Sequence, residues 1–291
     1  RLIFPINNIS GQPIALGGRI IEKSDYLAKY INSPETNFFK KGSNLYNLDS
    51  ARKLSNKLNN IYLVEGYMDV VGLSKNGIEN AVANLGTSLT DKQIITLNQF
   101  FDDIVICFDG DESGYKAALR AAENSIRDLK PEKQISFLFL PTNEDPDSFV
   151  NKNGKNFFLD FSKQSKISIH QFIFNHYKKQ TENNPSSMAI FEKKLRSIAS
   201  TIKDNFIKKY VLEYFLEKIA KLTPHSNKNR QKFYVKNTKS LDSTKKYFKD
   251  VQSISGVELK EFSFLYLVLN NLSLFKVNIH LIEDIKFFTE I

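Results

Sequence analysis

The sequence predicts an α/β protein in which a mostly parallel sheet flanked by helices is preceded by a β-hairpin and followed by an α-helical bundle. Three observations carry this. From residue 60 onward, apolar runs of strand length alternate with segments of helical periodicity, the pattern of crossover units and of a sheet buried on both faces. Before them, two apolar stretches flank a polar turn. Past residue 165, apolar residues recur at helical spacing with no strand between them.

In order along the chain, RLIFPI and PIALGGRII around NNISGQ read as a hairpin over residues 1–21. YINSPETNFFKKGSNLYNL reads as loop. LDSARKLSNKL reads as a short helix with Leu48, Ala51, Leu54 and Leu58 on one stripe. The alternation then runs strand IYLV, helix YMDVVGLSKNG closed by Gly77, strand AVANLG, helix TDKQIITLNQFF and strand IVICFD. Helix DESGYKAALRAAENSIRDLK and strand QISFLFLP complete it. ISIHQFIFNHY, MAIFEKKLRSIASTI and FIKKYVLEYFLEKIAKL form the helical bundle. Residues 223–254 are polar and Lys-rich and read as a linker. ELKEFSFLYLVLNN begins a last helical segment.

At 291 residues and 41% hydrophobic content the chain can bury a sizeable core. No segment approaches the roughly 20 uninterrupted apolar residues of a membrane span, and the first residues lack the order of a signal peptide. A soluble protein without membrane contact, in a reducing cytoplasm, is expected. The lone Cys107 excludes an internal disulfide framework, and four distant histidines leave no zinc spacing. Cys107 itself reads as a small buried apolar residue. The net charge of +9 is unevenly spread: residues 1–160 carry 18 Lys and Arg against 20 Asp and Glu, and the rest 23 against 12. The basic part reads equally as solvated surface or as phosphate-contacting surface.

The acids cluster where a parallel sheet places its ligands, just past the carboxyl ends of strands. Glu65 follows IYLV, Asp109 and Asp111 follow IVICF, and Asp145 and Asp147 follow SFLFLP. Asp69, four residues beyond Glu65, can turn back to the same edge if a helix starts at Gly66 or Tyr67. Each cluster alone reads as an ordinary turn or helix cap, with Asp147 capping SFVNKNG. Three acid-bearing turns at one end of successive strands point instead to cation binding, since packed carboxylates repel unless neutralised. All-oxygen ligation suits Mg2+ or Mn2+.

Together EGYMDV (65–70), FDGDESG (108–114) and EDPDSF (144–149) resemble the Toprim metal site, shared by primases, type IA and II topoisomerases and some nucleases. RLIFPI, LGGRI, KYINSPET, FKKGSNLY and ANLGTSLT resemble the corresponding stretches of bacterial DnaG-type primases, over about residues 1–170. The resemblance implies a DNA primase, a nucleotidyltransferase that makes short RNA primers on single-stranded DNA at the replication fork. Glu65, Asp109 and Asp111 match the central catalytic and metal-binding acids of the family, and Asp69, Asp145 and Asp147 the supporting ones. Arg19, Lys29, Asn32 and Lys41 match positions expected to contact nucleotide phosphates or template; without the motif Arg19, Lys29 and Lys41 would read as solvated surface charge. The implied reaction is attack of a primer 3′-hydroxyl on the α-phosphate of a ribonucleotide, with two cations about 4 Å apart assisting. Glu65 could be ligand or base.

The implied organisation is the end of an N-terminal core subdomain at 1–58, a Toprim subdomain at 59–160, the helical bundle at 161–222, the linker at 223–254, and the start of a helicase-binding domain at 255–291. Implied partners are ribonucleoside triphosphates, the DNA template, the RNA primer and a DnaB-type helicase, with the protein itself a monomer. Because the chain opens on Arg1 within a strand, a longer protein is expected, with zinc confined to a preceding ribbon domain. This piece would then bind metal yet prime poorly. A Toprim nuclease or topoisomerase is the rival enzyme, and a helicase-recruiting module the rival binding protein. The intact acids speak against the module, and the primase-like flanks against the nuclease.

Overall fold

The structure, a computed structural model, describes residues 1–22, 26–86, 88–222 and 256–270. It divides into two units, Arg1–Pro224 and His225–Ile291. In the first, strands β1 (Leu2–Asn7), β2 (Pro13–Arg19) and β3 (Tyr30–Asn32) form an antiparallel sheet in that order. The β1–β2 turn closes on Asn8, whose Oδ1 accepts the amides of Ser10 and Gln12, with Gly11 at φ 88° in the left-handed region that favours glycine. β3 is a strand where the sequence reads as loop; three residues among polar neighbours carry too short a pattern to be recognised.

The second sheet holds β4 (Asn60–Val64), β5 (Ala81–Ala83), β6 (Asp103–Phe108), β7 (Gln134–Phe139) and β8 (Ile167–Ser168) in the order β5-β4-β6-β7-β8. The first four are parallel, and β8 is antiparallel to β7. Side chains alternate across each strand: Ile61, Leu63, Ile104, Ile106, Ile135 and Phe137 join one core, and Tyr62, Val64, Val105, Cys107 and Leu138 another. Both faces are covered, which is why these strands read as unbroken apolar runs.

Helices α2 (Tyr67–Lys75), α5 (Pro146–Asn153) and α6 (Lys155–Ser165) supply Val70, Leu73, Phe149 and Phe158 to the second face. The first is covered by α3 (Asp91–Asn98), α4 (Glu112–Ser125), α7 (Ile169–Lys179), α8 (Pro185–Ser200) and α9 (Asn205–Leu222). Thr90 and Gln93 close a capping box at the start of α3. The expected helix after residue 47 is short: α1 (Leu48–Ala51) tightens into a 3-10 turn at Arg52–Leu54, and Leu58 is exposed because the chain must already enter β4. In the second unit Gly256–Asn270 forms helix α10. The expected linker at 223–254 lies outside the described residues, as do 255 and 271–291 of the last segment.

The sheet order places a switch point between β4 and β6. The chain leaves β4 toward β5 on one side and returns to β6 on the other, so α2 and α4 depart to opposite faces and a crevice opens between the two strand ends. Glu65 and Asp109 stand there.

Candidate catalytic metal site

A cleft of about 350 Å3 opens at this crevice. Five of the six acids line it: Glu65, Asp69, Asp109, Asp145 and Asp147. Arg19 and Lys29, from β2 and the entry to β3, line it with Asn32. Asp111 faces an adjoining cavity that it shares with Asp109. Lys41 lines neither; its amide donates to Glu35 Oε1 at 2.9 Å and its carbonyl accepts Gln93 Nε2 at 3.1 Å.

Helix and turn chemistry positions the carboxylates. Gly66 is the N-cap of α2, so Asp69 lies in its first turn, where Oδ2 accepts the Gly66 amide at 2.9 Å. Asp111 caps α4 and accepts the Gly114 amide at 2.7 Å. Asp145, rather than Asp147, caps α5: its Oδ1 accepts the Ser148 amide at 2.7 Å because Pro146 takes the first helical position. Asp147 sits one residue later, with Oδ1 accepting from Asn151 at 2.6 Å. Capping engages one carboxylate oxygen and a carboxylate has two, so the turn role and the cleft role coexist.

Two glycines permit the close approach. A Cβ at Gly114 would overlap the Asp109 carbonyl oxygen and stand 3.0 Å from Glu65 Oε1; one at Gly72 would overlap the Asp147 carboxylate and stand 2.9 Å from its Cα.

The site is electrostatically strained. Burial pushes Glu65 up to about 7, with the charges of Asp109 and Asp111 adding to it. Asp69 rises to about 7 through burial and then Asp109. Asp109 rises to about 6 through burial, Asp145 and Asp111, against the lowering field of Lys29. Buried carboxylates with raised affinity for protons have a matching affinity for other cations. Asp109 Oδ1 is buried and accepts no hydrogen bond, and every donor in the set is oxygen, so the residues fit a hard divalent ion. Among the described residues, no three His, Cys, Asp or Glu stand close enough to enclose an ion by themselves.

Sequence reasoning did not single out Tyr30, Tyr67, Asn84 or Gly86, which also line the cleft. Tyr30 lies beneath Arg19 and Lys29, 5.8 and 5.7 Å from its ring centre. Tyr67 stacks on Phe4 at 4.9 Å and donates to Asn32 Oδ1 at 2.6 Å. Only their place inside the quoted motifs KYINSPET, EGYMDV and ANLGTSLT could have marked them.

Compared with known proteins, residues 59–139 match the family described as the Toprim domain, and residues 1–52 the N-terminal domain of the DNA primase catalytic core. The DNA primase of Pseudomonas aeruginosa is 44% identical over 174 residues, 60% of this chain and 26% of that protein. The solved E. coli primase catalytic core is 36% identical with TM-score 0.70, covering 75% of this chain and 69% of that one. A DnaG primase catalytic domain solved bound to single-stranded DNA is 35% identical with TM-score 0.69, covering 74% and 69%. The chain spans 26% to 36% of the length of the first curated primases it matches.

Proposed function

The chain belongs to the family of bacterial DnaG-type DNA primases, and from that premise we propose that it carries the catalytic part of a primase, joining ribonucleotides into short RNA primers on single-stranded DNA. The observation that carries the proposal is the convergence of Glu65, Asp69, Asp109, Asp145 and Asp147 with Arg19, Lys29 and Asn32 in one cleft at the switch point of the sheet.

Primases with Toprim domains as a family use a divalent metal; here Mg2+ or Mn2+ would be held by Glu65, Asp109 and Asp111, with Asp69, Asp145 and Asp147 in support. Such an ion would supply charge that neutralises the triphosphate and makes the attacking hydroxyl more acidic. Arg19 and Lys29 draw the polyphosphate into the cleft, Arg19 with the fork suited to two phosphate oxygens at once. Asn32, fixed by Tyr67 and by its own bond to the Leu85 carbonyl at 2.9 Å, offers a rigid polar edge to the nucleotide or template. In the alternative role, Glu65 would accept the proton of the 3′-hydroxyl in place of binding metal. Lys41, outside the cleft, would reach template rather than nucleotide.

The same reading assigns 1–58 to the core subdomain, 59–160 to the Toprim subdomain, 161–222 to the helical bundle, 223–254 to a linker and 255–291 to the start of a domain that binds a DnaB-type helicase. The protein would work as a cytoplasmic monomer; no described helix is long and apolar enough to cross a membrane. The test is Mg2+-dependent incorporation of labelled ribonucleotides on single-stranded DNA by the full-length protein and its Asp109→Ala variant. Oligoribonucleotides made by the parent and absent from the variant are expected. DNA cleavage instead, or no product from folded protein, would overturn the reading in favour of a Toprim nuclease or a binding module.

A further inference from the structure

Among the described residues, Asp109 alone lines both the cleft and the adjoining cavity of about 630 Å3. The two spaces differ in chemistry. The cleft is ringed by five carboxylates with Arg19 and Lys29, whereas the second cavity sets an aromatic and aliphatic wall beside Asp109 and Asp111. That wall includes Tyr115 from α4 and Phe139 from β7, with ring centres 5.6 Å apart, and Lys178 and Lys179 at the end of α7 also line the cavity. Tyr115 is held in place: its hydroxyl pairs with His176 Nδ1 at 3.1 Å and its ring meets Phe172 edge-on at 5.4 Å. Among the described residues neither lysine is paired with a carboxylate. The volume is that of a small-ligand site, and an apolar wall with a few convergent polar groups is how such sites are built.

Resting on the primase reading, we infer that this cavity holds the initiating ribonucleoside triphosphate, the one that supplies the first 3′-hydroxyl. Forming the first bond without a primer requires two nucleotides flanking one reacting centre. The incoming nucleotide places its α-phosphate in the cleft, and the initiating one approaches across Asp109 with its base against Tyr115 and Phe139. In the step, the 3′-oxygen of the initiating nucleotide bonds to the α-phosphorus of the incoming one. The bond from that phosphorus to the oxygen bridging to the β-phosphate breaks, pyrophosphate leaves, and the hydroxyl proton passes through a site carboxylate to water. The 5′-triphosphate of the initiating nucleotide is not consumed, so it needs cations other than those that serve the reaction. Lys178 and Lys179 are such cations. Once a primer exists its 3′ end is held by pairing to the template, so the lysines matter for starting and not for extending.

The experiment compares the full-length protein with a Lys178→Ala/Lys179→Ala double variant and a Lys178→Arg/Lys179→Arg control, in two assays: the first dinucleotide from free ribonucleotides, and extension of an annealed RNA primer. The alanine variant is expected to need at least tenfold more ribonucleotide for the dinucleotide while extending a primer within twofold of the parent, and the arginine variant to start normally. Equal initiation by the alanine variant and the parent overturns the inference and leaves the primase reading intact. Equal loss of both activities, with unchanged circular dichroism, also overturns it, by placing the lysines on the path of the strand. No product from the parent removes the primase reading and this inference with it.

Discussion

Replacing Asp109 with asparagine should stabilise the protein while ending its chemistry. Asp109 adds to the raised proton affinity of both Glu65 and Asp69, and burial with its own acidic neighbours lifts it from 3.8 to about 6. At 1.36 kcal/mol per tenfold, that lift is worth about 3 kcal/mol. The side chain is partly exposed, and solvent screening reduces the figure to about 1–2 kcal/mol. The sign follows from linkage: a carboxyl that binds its proton more tightly when folded contributes stability that is complete below about pH 4 and is lost as pH rises through about 6. Asparagine is never charged and does not lose it. In thermal denaturation at low salt with a chelator present, Asp109→Asn should match the parent at pH 4 and melt higher at pH 8. For a unit of this size the difference is about 2–8 °C. Mg2+ should then raise the melting temperature of the parent at pH 8 more than that of the variant. A variant that melts lower than the parent at pH 8 would refute the claim that these carboxylates repel one another in the fold.

Two further perturbations address the supports of the site. Gly72→Ala drives a methyl into Asp147 and should separate α5 from α2; a loss of about 1–3 kcal/mol in urea denaturation is expected, together with lost ribonucleotide incorporation. Tyr67→Phe removes the 2.6 Å bond to Asn32 but keeps the ring stacked on Phe4. About 1 kcal/mol of stability should go, with KM for ribonucleotide rising more than kcat falls; an unchanged KM would detach Asn32 from nucleotide binding.

Much of this architecture was legible because it is written in local patterns. The strands β4, β6 and β7 announce themselves as apolar runs since both faces of the sheet are covered. The helices between them carry their own start signals, such as the Thr90 to Gln93 box and Asp111 ahead of Glu112. The short strands β3 and β8 leave no pattern, and the apolar stripe after residue 47 runs past the end of α1 because the demand to enter β4 is not local. The sequence reads Asp147 as the cap of α5, but the cap is Asp145, since a proline at the first helical position makes the residue before it the cap.

By itself the sequence determined the order of strands and helices, and which acids end which strands, because a turn and a cap depend on residues a few positions apart. Only the tertiary structure decided that β6 lies beside β4 rather than β5. That adjacency opens the crevice between Glu65 and Asp109, brings Arg19 and Lys29 over it from another sheet, and leaves Asp109 between two cavities while Asp111 faces one. Those relations join residues dozens of positions apart. They are set by how two faces of a sheet and a separate hairpin bury their apolar surfaces together, which no local spacing records.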